Sequence, residues 1–300
     1  MTISIITSMY NRKPEVLEII TNLLLPSLLN NGRSSMELII IDDCSPLKDA
    51  TGTIIERYLP VLEDRFGNVI FVRNEANLGW TGSINKGIYM AGGKRLIIAN
   101  DDVYFPSRSI ERLAITLDRP EGYLIAGPIT NASTAWSFQY CRQAPSLKSN
   151  SPAEIEKLEK FSLWLREKMR DRIITTNNLC GFCFAADSQL LKKIGGLEEK
   201  YKHGYFEDTD LIQRIAKEYG EEKIAINLEV FVGHGGVSGT SRTMLQEPFK
   251  MAKALIANGI KYASCWGYQK LLKRIVFGIR SQLTGKGTIS ELLPPGKINL

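Results

Sequence analysis

The sequence predicts an α/β protein with a doubly wound, mostly parallel sheet and a basic helical appendage at its C-terminus. Short, continuous runs of Ile, Leu and Val alternate with helical patterns through the first half of the chain. Such runs are typical of parallel strands whose two faces are both covered by helices. Polar residues collect where these runs end, and positive charge collects at the end of the chain. The first pattern indicates a ligand site beyond the carboxyl ends of the strands, and the second indicates an anionic partner.

The first half contains five apolar runs of strand length. They lie at 3–9, 37–42, 69–72, 95–99 and 123–127, with helices predicted over 14–30 and 48–66. Pro14 suits the first turn of its helix, because an N–H at that position would have no intrahelical partner. This alternation of strand and helix predicts the parallel sheet.

The second half is less regular. Its predicted elements are a helix capped by Ser151, a strand at 179–187, a helix near 188–194, a glycine break at 195–196, a helix opening at 207–210 and two short strands over 224–232. Asp210 and Arg214 are four residues apart on the helix that opens at 207–210 and are expected to form an ion pair. Five scattered cysteines indicate reduced thiols rather than a disulfide framework.

The composition is that of an ordinary globular protein. The chain has 300 residues, of which 44% are hydrophobic and 23% charged, enough to bury a large core. No apolar stretch reaches the roughly eighteen residues of a membrane-spanning helix, and no basic segment precedes the first apolar run. We therefore expect a cytoplasmic protein without a transmembrane segment, either free or peripheral at the inner membrane face.

The basic excess lies in the C-terminal tail. The formal charge of the chain is +6, and after position 241 there are ten basic residues against two acidic ones. This helical tail combines an apolar stripe of Leu272, Ile275, Val276, Ile279 and Leu283 with a basic flank of Lys270, Lys273 and Arg280. Three interpretations remain open: a helix that packs on the main domain with a solvated basic face, a membrane-surface contact, or a nucleic-acid contact.

Four predicted strands end in polar residues. These ends are Thr7 to Arg12, Asp42 to Ser45, Arg73 to Glu75 and Asn100 to Asp102. The chain has neither the glycine-rich turn of dinucleotide-binding proteins nor a P-loop. Adjacent carboxylates such as Asp101 and Asp102 repel each other unless water or a cation spreads their charge. A divalent metal that bridges a diphosphate would do so.

The order of several motifs resembles that of the inverting family-two glycosyltransferases with the GT-A fold. The motifs are SIITSMYNR, IIIDDCSP, NEANLGWTGSINKGI, IIANDDV, LCGFCFAADSQLLKKIGGLEEKY, YFEDTDLIQR and VGHGG. The resemblance covers roughly residues 3 to 240. It implies a glycosyltransferase domain over 1–240, with a nucleotide-sugar-binding half at 1–130 and an acceptor-binding half at 131–240, followed by a helical basic extension at 241–300.

The resemblance implies a donor site at the strand ends. Its residues would be Thr7, Ser8, Tyr10, Asp43, Asn77, Gly79 and Asp101. A carboxylate such as Asp43 can accept a hydrogen bond from uracil N3, which favours a UDP-linked donor. Asp101 would touch the ribose or a metal-coordinated water. The alternative for Asp43 and the hydroxyl groups is ordinary turn and cap chemistry.

The segment Asn100-Asp101-Asp102 lies where the family carries its Asp-x-Asp metal motif. Asp102 would be the direct ligand of Mn²⁺ or Mg²⁺, and Asn100 stands in place of the first carboxylate of the motif. His234 lies at the position of a histidine that completes the metal site in many relatives. The alternative is a structural histidine.

Glu207 and Asp208 resemble the acidic pair of the family. Asp208 would act as general base on an acceptor hydroxyl, and Glu207 would contact the substrate. The alternative is helix capping, because acids at a helix N-terminus complement its dipole. Trp80 and Trp136 are candidates for stacking on a sugar ring or an acceptor base, with core packing as the alternative.

These expectations predict a metal-dependent inverting glycosyltransferase that uses a nucleoside-diphosphate sugar, with a UDP-sugar favoured. The acceptor hydroxyl would belong to a cell-surface glycan or lipid-linked glycan, or alternatively to a hydroxyl-modified DNA base. The basic C-terminal helix would then make a peripheral membrane or nucleic-acid contact. A non-catalytic nucleotide-sugar-binding protein is the alternative of another class. A metal-dependent phosphohydrolase ranks last, because it needs more metal ligands than the sequence offers.

Overall fold

The structure, a computed structural model, describes residues 2–11, 13–132, 137–147, 151–201, 204–235, 248–284 and 288–293. The strands are β1 (Ile3–Met9), β2 (Met36–Asp42), β3 (Asn68–Arg73), β4 (Arg95–Ala99), β5 (Val103–Tyr104), β6 (Ile125–Ile129), β7 (Ile173–Thr175), β8 (Cys183–Asp187), β9 (Ile224–Phe231) and β10 (Gly233–His234). The helices are α1 (Pro14–Ile19), α2 (Leu25–Asn31), α3 (Lys48–Arg65), α4 (Gly79–Met90), α5 (Ser109–Ile115), α6 (Pro152–Lys168), α7 (Ser188–Lys193), α8 (Glu207–Tyr219), α9 (Pro248–Trp266) and α10 (Tyr268–Thr284).

Eight of these strands form one mixed, mostly parallel sheet. Its order is β3-β2-β1-β4-β8-β6-β9-β7, with β5 and β10 paired separately. The neighbours β1–β2, β2–β3, β1–β4 and β6–β9 are parallel, whereas β8 runs antiparallel between β4 and β6. The strand order reverses between β1 and β4, which is where ligands bind in sheets of this type. The predicted α/β fold class is confirmed, together with the helical C-terminal region.

Helices cover both faces of the sheet. Successive side chains of a strand point to opposite faces, so Ile5 and Ile6 of β1 enter two different cores. Ile84 and Ile88 of α4 pack in one core, and Leu24 and Leu28 pack in the other. This double burial explains why the strands are continuous apolar runs rather than alternating ones.

The predicted helix at 14–30 is confirmed, with one irregularity. α1 and α2 are continuous through a π-helical turn at Ile20–Leu24. Pro26 follows in the first turn of α2. Its ring lacks an N–H and would clash with the carbonyl one turn earlier in a regular helix. The wider turn accommodates the proline without ending the helix.

Several boundaries differ from the sequence prediction. The strand predicted at 179–187 begins only at Cys183, because the backbone N–H groups of Cys180 and Gly181 donate to the side chains of Gln139 and Asp208 instead of to a sheet. The two short strands predicted over 224–232 are one strand, β9, followed by the two-residue β10. The run predicted at 123–127 is shifted to β6, and the short β7 was not predicted.

One helix cap agrees with the sequence prediction, and one break between helices was not predicted. Ser151 caps α6 as predicted, because its side chain accepts a hydrogen bond from the backbone N of Glu154. Gly267 joins α9 to α10 with a positive φ of 89°, a conformation that favours glycine. Among the helices described, none is long and apolar enough to cross a membrane.

Gly87 marks the close approach of α4 to the sheet. A Cβ atom built at Gly87 would lie 2.4 Å from Cγ2 of Ile6 and 3.2 Å from Cδ1 of Ile41. Both isoleucines are fully buried, so neither can move without displacing its neighbours. We expect Gly87→Ala to lower the free energy of unfolding by about 1–3 kcal/mol in urea denaturation.

Gly52 provides a matched control in α3. No atom lies within 4 Å of a Cβ built there, and alanine has the higher helix propensity. Gly52→Ala should therefore raise the free energy of unfolding by about 0.5–1 kcal/mol. Equal effects at the two glycines would contradict the packing described for α4.

Candidate active site

The carboxyl ends of β1, β2 and β4 meet at one edge of the sheet. The register pairs Thr7 of β1 with Ala99 of β4. On the other side of β1, the backbone N of Asp43 donates to the O of Met9 at 2.9 Å. Asp43 and the segment Asn100–Asp102 therefore flank the end of β1, as the sequence predicted.

Asp43 is buried and held through one carboxylate oxygen. Its Oδ1 accepts hydrogen bonds from Asn74 Nδ2 at 2.9 Å and from the backbone N of Leu78 at 2.8 Å. Lys86 Nζ donates to Asn74 Oδ1 at 2.8 Å, which fixes the orientation of that amide. These bonds leave Oδ2 of Asp43 as the acceptor that a ligand can use.

Asn77 and Gly79 shape the turn that begins α4. Asn77 Nδ2 donates to the backbone O of Asp43 at 3.3 Å, and the backbone N of Gly79 donates to Asn77 Oδ1 at 3.2 Å. Gly79 has a φ of 75°, in the left-handed region that favours glycine. Both residues thus support the segment that carries Asp43, and contact with a donor stays a prediction for them.

Thr7, Ser8 and Tyr10 lie at the end of β1, and their contact with a donor stays a prediction. Thr7 and Ser8 are buried, and Tyr10 is half-buried. Thr7 Oγ1 and Trp80 Nε1 are buried atoms that have no hydrogen-bond partner in the part of the chain the structure describes. Buried polar atoms are usually paired, so these two are candidates to meet a ligand. Trp80 also packs against the apolar core, which accords with the alternative reading of that residue.

Asp102 and His234 come together across a two-stranded ladder. β5 and β10 pair Val103 with His234, and His234 Nε2 lies 3.2 Å from Asp102 Oδ1. His234 Nδ1 lies 2.8 Å from the O of Ala132, to which it can donate while Nε2 faces the carboxylate. Phe182 stacks on the imidazole with ring centroids 5.0 Å apart.

The charges around this pair suit a cation. Burial lowers the pKa of His234, but the carboxylate of Asp102, the carbonyl of Ala132 and the charge of Asp101 more than offset it, so that the pKa is raised above its ordinary value. One carboxylate and one imidazole nitrogen fit a divalent metal whose other ligands come from a substrate. Among the described residues, no group of three or more His, Cys, Asp or Glu side chains could hold a metal by itself.

Asp208 is oriented at the N-terminus of α8. Its Oδ2 accepts a hydrogen bond from the backbone N of Gly181 at 2.8 Å, and its Oδ1 accepts from the backbone N of Thr209 at 2.6 Å. Gly181 is adjacent to Phe182, whose ring stacks on His234. The segment before β8 therefore connects this carboxylate to the Asp102–His234 pair.

Glu207, the other member of the acidic pair, differs from Asp208 in its surroundings. Its Oε2 is buried and has no hydrogen-bond partner among the described residues. Burial first, and the neighbouring charge of Asp208 second, raise the pKa of Glu207 to about 8. At neutral pH the side chain is therefore mostly a neutral acid, able to donate a hydrogen bond to a ligand.

The turn before α8 is held by α9. Tyr205 and Phe206 have positive φ values of 70° and 75°, which are uncommon for residues other than glycine. Asn258 Nδ2 of α9 donates to the O of Gly204 at 2.9 Å. The ring of Tyr262 packs against that of Phe206, with centroids 5.2 Å apart. The C-terminal helices thus support the turn that places the acidic pair.

Asp210 makes a second contact between α8 and the C-terminal helix α9. Its buried carboxylate accepts hydrogen bonds from Arg214 Nε at 2.8 Å, from Trp266 Nε1 at 2.8 Å and from the Tyr201 hydroxyl at 3.1 Å. The predicted Asp210–Arg214 ion pair is confirmed. Trp266, at the end of α9, extends that pair into a contact between helices.

Gly181 and Phe182 belong to the site, although the sequence did not single them out as functional residues. A Cβ atom at Gly181 would lie 2.9 Å from Cβ of Asp208, so only glycine fits between the strand and the acidic pair. The one signal in the sequence was a glycine inside an otherwise apolar segment. Trp136 lies outside the described residues.

Comparison with known proteins assigns a family. The family model described as Glycosyl transferase family 2 matches residues 4–195. An uncharacterized glycosyltransferase of Haemophilus influenzae is 28% identical over 219 residues, which cover 72% of this chain. That match spans 62% of the length of the Haemophilus protein.

Two solved structures share the fold. S. aureus TarS 1–349, in complex with UDP-GlcNAc, superposes with a TM-score of 0.56 at 16% identity, covering 88% of this chain and 67% of that one. Mannosyltransferase PcManGT from Pyrobaculum calidifontis, in complex with GDP-Man and Mn²⁺, gives a TM-score of 0.53 at 14% identity, covering 95% of this chain and 87% of that one. At these identities the similarity concerns the fold.

The raised pKa of Glu207 should make the stability of the protein depend on pH. This pKa is about 8 in the folded protein and about 4.3 in an unfolded chain, so the folded state holds the extra proton between these values. The contribution to stability is complete below the unfolded pKa and is lost as the pH rises through the folded pKa. We expect the unfolding temperature of the wild type to fall more between about pH 5 and pH 8 than that of Glu207→Gln, as measured by scanning calorimetry.

Glu63 provides the control, because it is an exposed glutamate of α3. Glu63→Gln should follow the wild-type curve. Parallel curves for the wild type and Glu207→Gln would show that Glu207 is not a buried neutral acid.

Proposed function

Because the chain belongs to glycosyl transferase family 2, we propose that it is an inverting glycosyltransferase that moves a sugar from a nucleoside-diphosphate sugar to an acceptor hydroxyl. One observation carries the proposal. Gly181 donates a hydrogen bond to Asp208, and the adjacent Phe182 stacks on His234. A carboxylate that can act as base and a pair that can bind metal are thereby held at the sheet edge where ligands bind.

The donor is proposed to be a UDP-sugar. Asp43 Oδ2 can accept a hydrogen bond from N3–H of uracil, and the buried hydroxyl of Thr7 can pair with a donor oxygen. The other donor contacts are proposed at Ser8, Tyr10, Asn77, Gly79 and Asp101. Of the two similar structures, one holds UDP-GlcNAc and the other GDP-Man. The preference for a uracil nucleotide would therefore depend on Asp43 rather than on the fold.

A divalent metal, Mn²⁺ or Mg²⁺, is proposed to be held by Asp102 and His234. Their oxygen and nitrogen, 3.2 Å apart, form an incomplete donor set that a diphosphate would complete. When bound, the cation would neutralise the charge of the diphosphate leaving group. Asn100 has no carboxylate, so Asp102 would be the acidic ligand of this segment.

Asp208 is proposed to act as the general base. It takes the proton of the acceptor hydroxyl while that oxygen forms its bond to the anomeric carbon, and the bond from this carbon to the diphosphate breaks with its electron pair. Attack opposite the leaving group inverts the anomeric configuration. The hydrogen bonds from Gly181 and Thr209 hold the carboxylate in one orientation. Glu207, as a neutral acid, would donate a hydrogen bond to the sugar or the acceptor.

The acceptor is proposed to be a cell-surface or lipid-linked glycan, modified at the cytoplasmic face of the membrane. The C-terminal helices expose apolar side chains such as Leu272 and Val276 beside basic ones. A hydroxyl-modified DNA base is the second candidate, because the same helices could contact phosphates. The apolar side chains favour the first.

Asp208→Asn should abolish transfer and leave donor binding intact. The amide keeps the shape of the side chain but cannot take the acceptor proton. We expect UDP release, assayed over a panel of nucleotide sugars with candidate acceptors and Mn²⁺, to fall by about 10²–10⁴-fold. Donor affinity measured by calorimetry should be unchanged. Wild-type turnover in this variant would refute the role of Asp208.

Asp102→Ala should impair donor binding, the step that precedes transfer. Loss of the carboxylate should remove the Mn²⁺ dependence of UDP binding, measured by titrating UDP with and without Mn²⁺. Mn²⁺-dependent UDP binding that survives this change would place the metal elsewhere.

Gly181→Ala should lower kcat and leave the KM of the donor unchanged. The new Cβ would lie 2.9 Å from Cβ of Asp208 and would displace the carboxylate from the orientation that its hydrogen bonds fix. Gly52→Ala, which adds the same methyl group in α3, should have wild-type kinetics. Unaltered kcat in Gly181→Ala would show that the base needs no such close support.

A further inference from the structure

The two C-terminal helices carry most of the large exposed apolar side chains of the described residues. Seven of the twelve lie in α9 and α10, namely Phe249, Ile256, Ile260, Tyr268, Leu272, Val276 and Ile279. Phe249 is 91% exposed. Single exposed apolar residues are normal, but a concentration of them marks a binding surface.

The exposed apolar side chains lie along one face of each helix. They recur at intervals of seven and four residues in α9, and of four, four and three in α10. We call these two faces the apolar stripes. Ile275, predicted for the α10 stripe, is half-buried, and the side chain of Leu283 lies outside the described part.

Other faces of the same helices dock on the protein. Asn258 and Tyr262 of α9 contact the turn before α8. Lys270 of α10 donates to Gln213 of α8 at 2.6 Å. The apolar stripes are therefore not the surfaces that attach these helices to the domain.

The charge of this region is of one sign. Residues 248–284 contain seven basic residues and no acidic residue. Five of the basic side chains are exposed, namely Lys250, Lys253, Lys270, Lys273 and Arg280. Lys273 and Arg280 each follow directly after a stripe residue of α10. Such side chains can extend their stems along an apolar surface while their charges stay in water.

We propose that the apolar stripes of α9 and α10 bind the surface of an anionic lipid bilayer. The apolar side chains would enter the boundary between headgroups and acyl chains, and the basic side chains would lie near the lipid phosphates. A second copy of the chain fits less well, since each copy would bring seven basic residues and no acidic ones to the interface. Nucleic acid fits less well, because its phosphate backbone offers no apolar surface to Ile, Leu and Val.

The docking would place the bilayer beside the catalytic helix. Trp266, between the two stripes in sequence, binds Asp210 of α8 at 2.8 Å. Asp208 lies two residues before Asp210 on that helix. This consequence alone rests on the proposed transferase function, and it favours an acceptor carried by a lipid.

The test is sedimentation of the full chain with vesicles of phosphatidylcholine, with and without phosphatidylglycerol. We expect binding to the anionic vesicles that weakens as salt is added. The triple variant Leu272→Ser, Val276→Ser, Ile279→Ser should lower the partition coefficient at least about tenfold. All three positions are exposed, so the unfolding temperature should fall by only a few degrees, from the lower helix propensity of serine.

Ile115 and Leu163 provide the matched control, with exposed fractions of 47% and 57% on other helices. Ile115→Ser with Leu163→Ser should bind vesicles as the wild type does. Absence of wild-type binding to anionic vesicles, or equal binding by the triple variant, would overturn the proposal. Salt-sensitive binding to duplex DNA without vesicle binding would assign the surface to nucleic acid. Self-association without vesicle binding, lost in the triple variant, would assign it to a second copy.

These measurements use no sugar donor. Vesicle binding by a chain that releases no UDP from any donor would leave the surface assigned and contradict only the transferase function. Release of UDP by a chain that does not bind vesicles would support the transferase function and contradict only the proposed membrane surface.

Discussion

The buried carboxylate of Asp210 is the interaction on which the arrangement of the site depends. A charge held in the interior is costly unless it is paired and hydrogen-bonded, and Asp210 satisfies this through Arg214, Trp266 and Tyr201. Arg214 also donates to the O of Gly196 at 2.7 Å. One carboxylate thus joins α8 to the glycine break before it and to the end of α9. Because the acidic pair opens α8, its position follows from this network.

The two acids at the start of α8 are kept chemically different by their surroundings. Asp208 receives backbone hydrogen bonds from Gly181 and Thr209, which suit a carboxylate. Glu207 is buried without a partner among the described residues, and its pKa rises to about 8. A single helix terminus can therefore present one hydrogen-bond acceptor and one donor to a sugar or an acceptor. Adjacent acids in equivalent environments would also ionise one at a time, because the first charge disfavours the second, but nothing would fix which of the two keeps its proton.

The parts of the fold that the sequence predicted are those with a local cause. Strands such as β1 and β4 are continuous apolar runs because helices cover both of their faces. The cap at Ser151 needs only Glu154, three residues away. The approach of Asp102 to His234 followed from the resemblance, and the two lie 3.2 Å apart.

The parts that escaped prediction depend on distant partners. β8 starts late because its preceding N–H groups serve Gln139 and Asp208. The role of Trp266 requires Asp210, which lies on a different helix. In sequence, Gln139 and Trp266 do not differ from ordinary core or turn residues. Their partners are set by the packing of whole elements, and packing leaves no short-range pattern to read.

The antiparallel strand β8 between β4 and β6 has a consequence for how the chain is made. β4 and β6 emerge from the ribosome well before β8, which pairs with both. Until β8 arrives, each of these strands leaves an open edge with unsatisfied backbone groups, a template for pairing with other chains. Such long-range pairing gives a high contact order and slow completion of the sheet. The nascent chain therefore exposes these edges while its second half is being made, and this is the stage of synthesis at which it is most prone to aggregate.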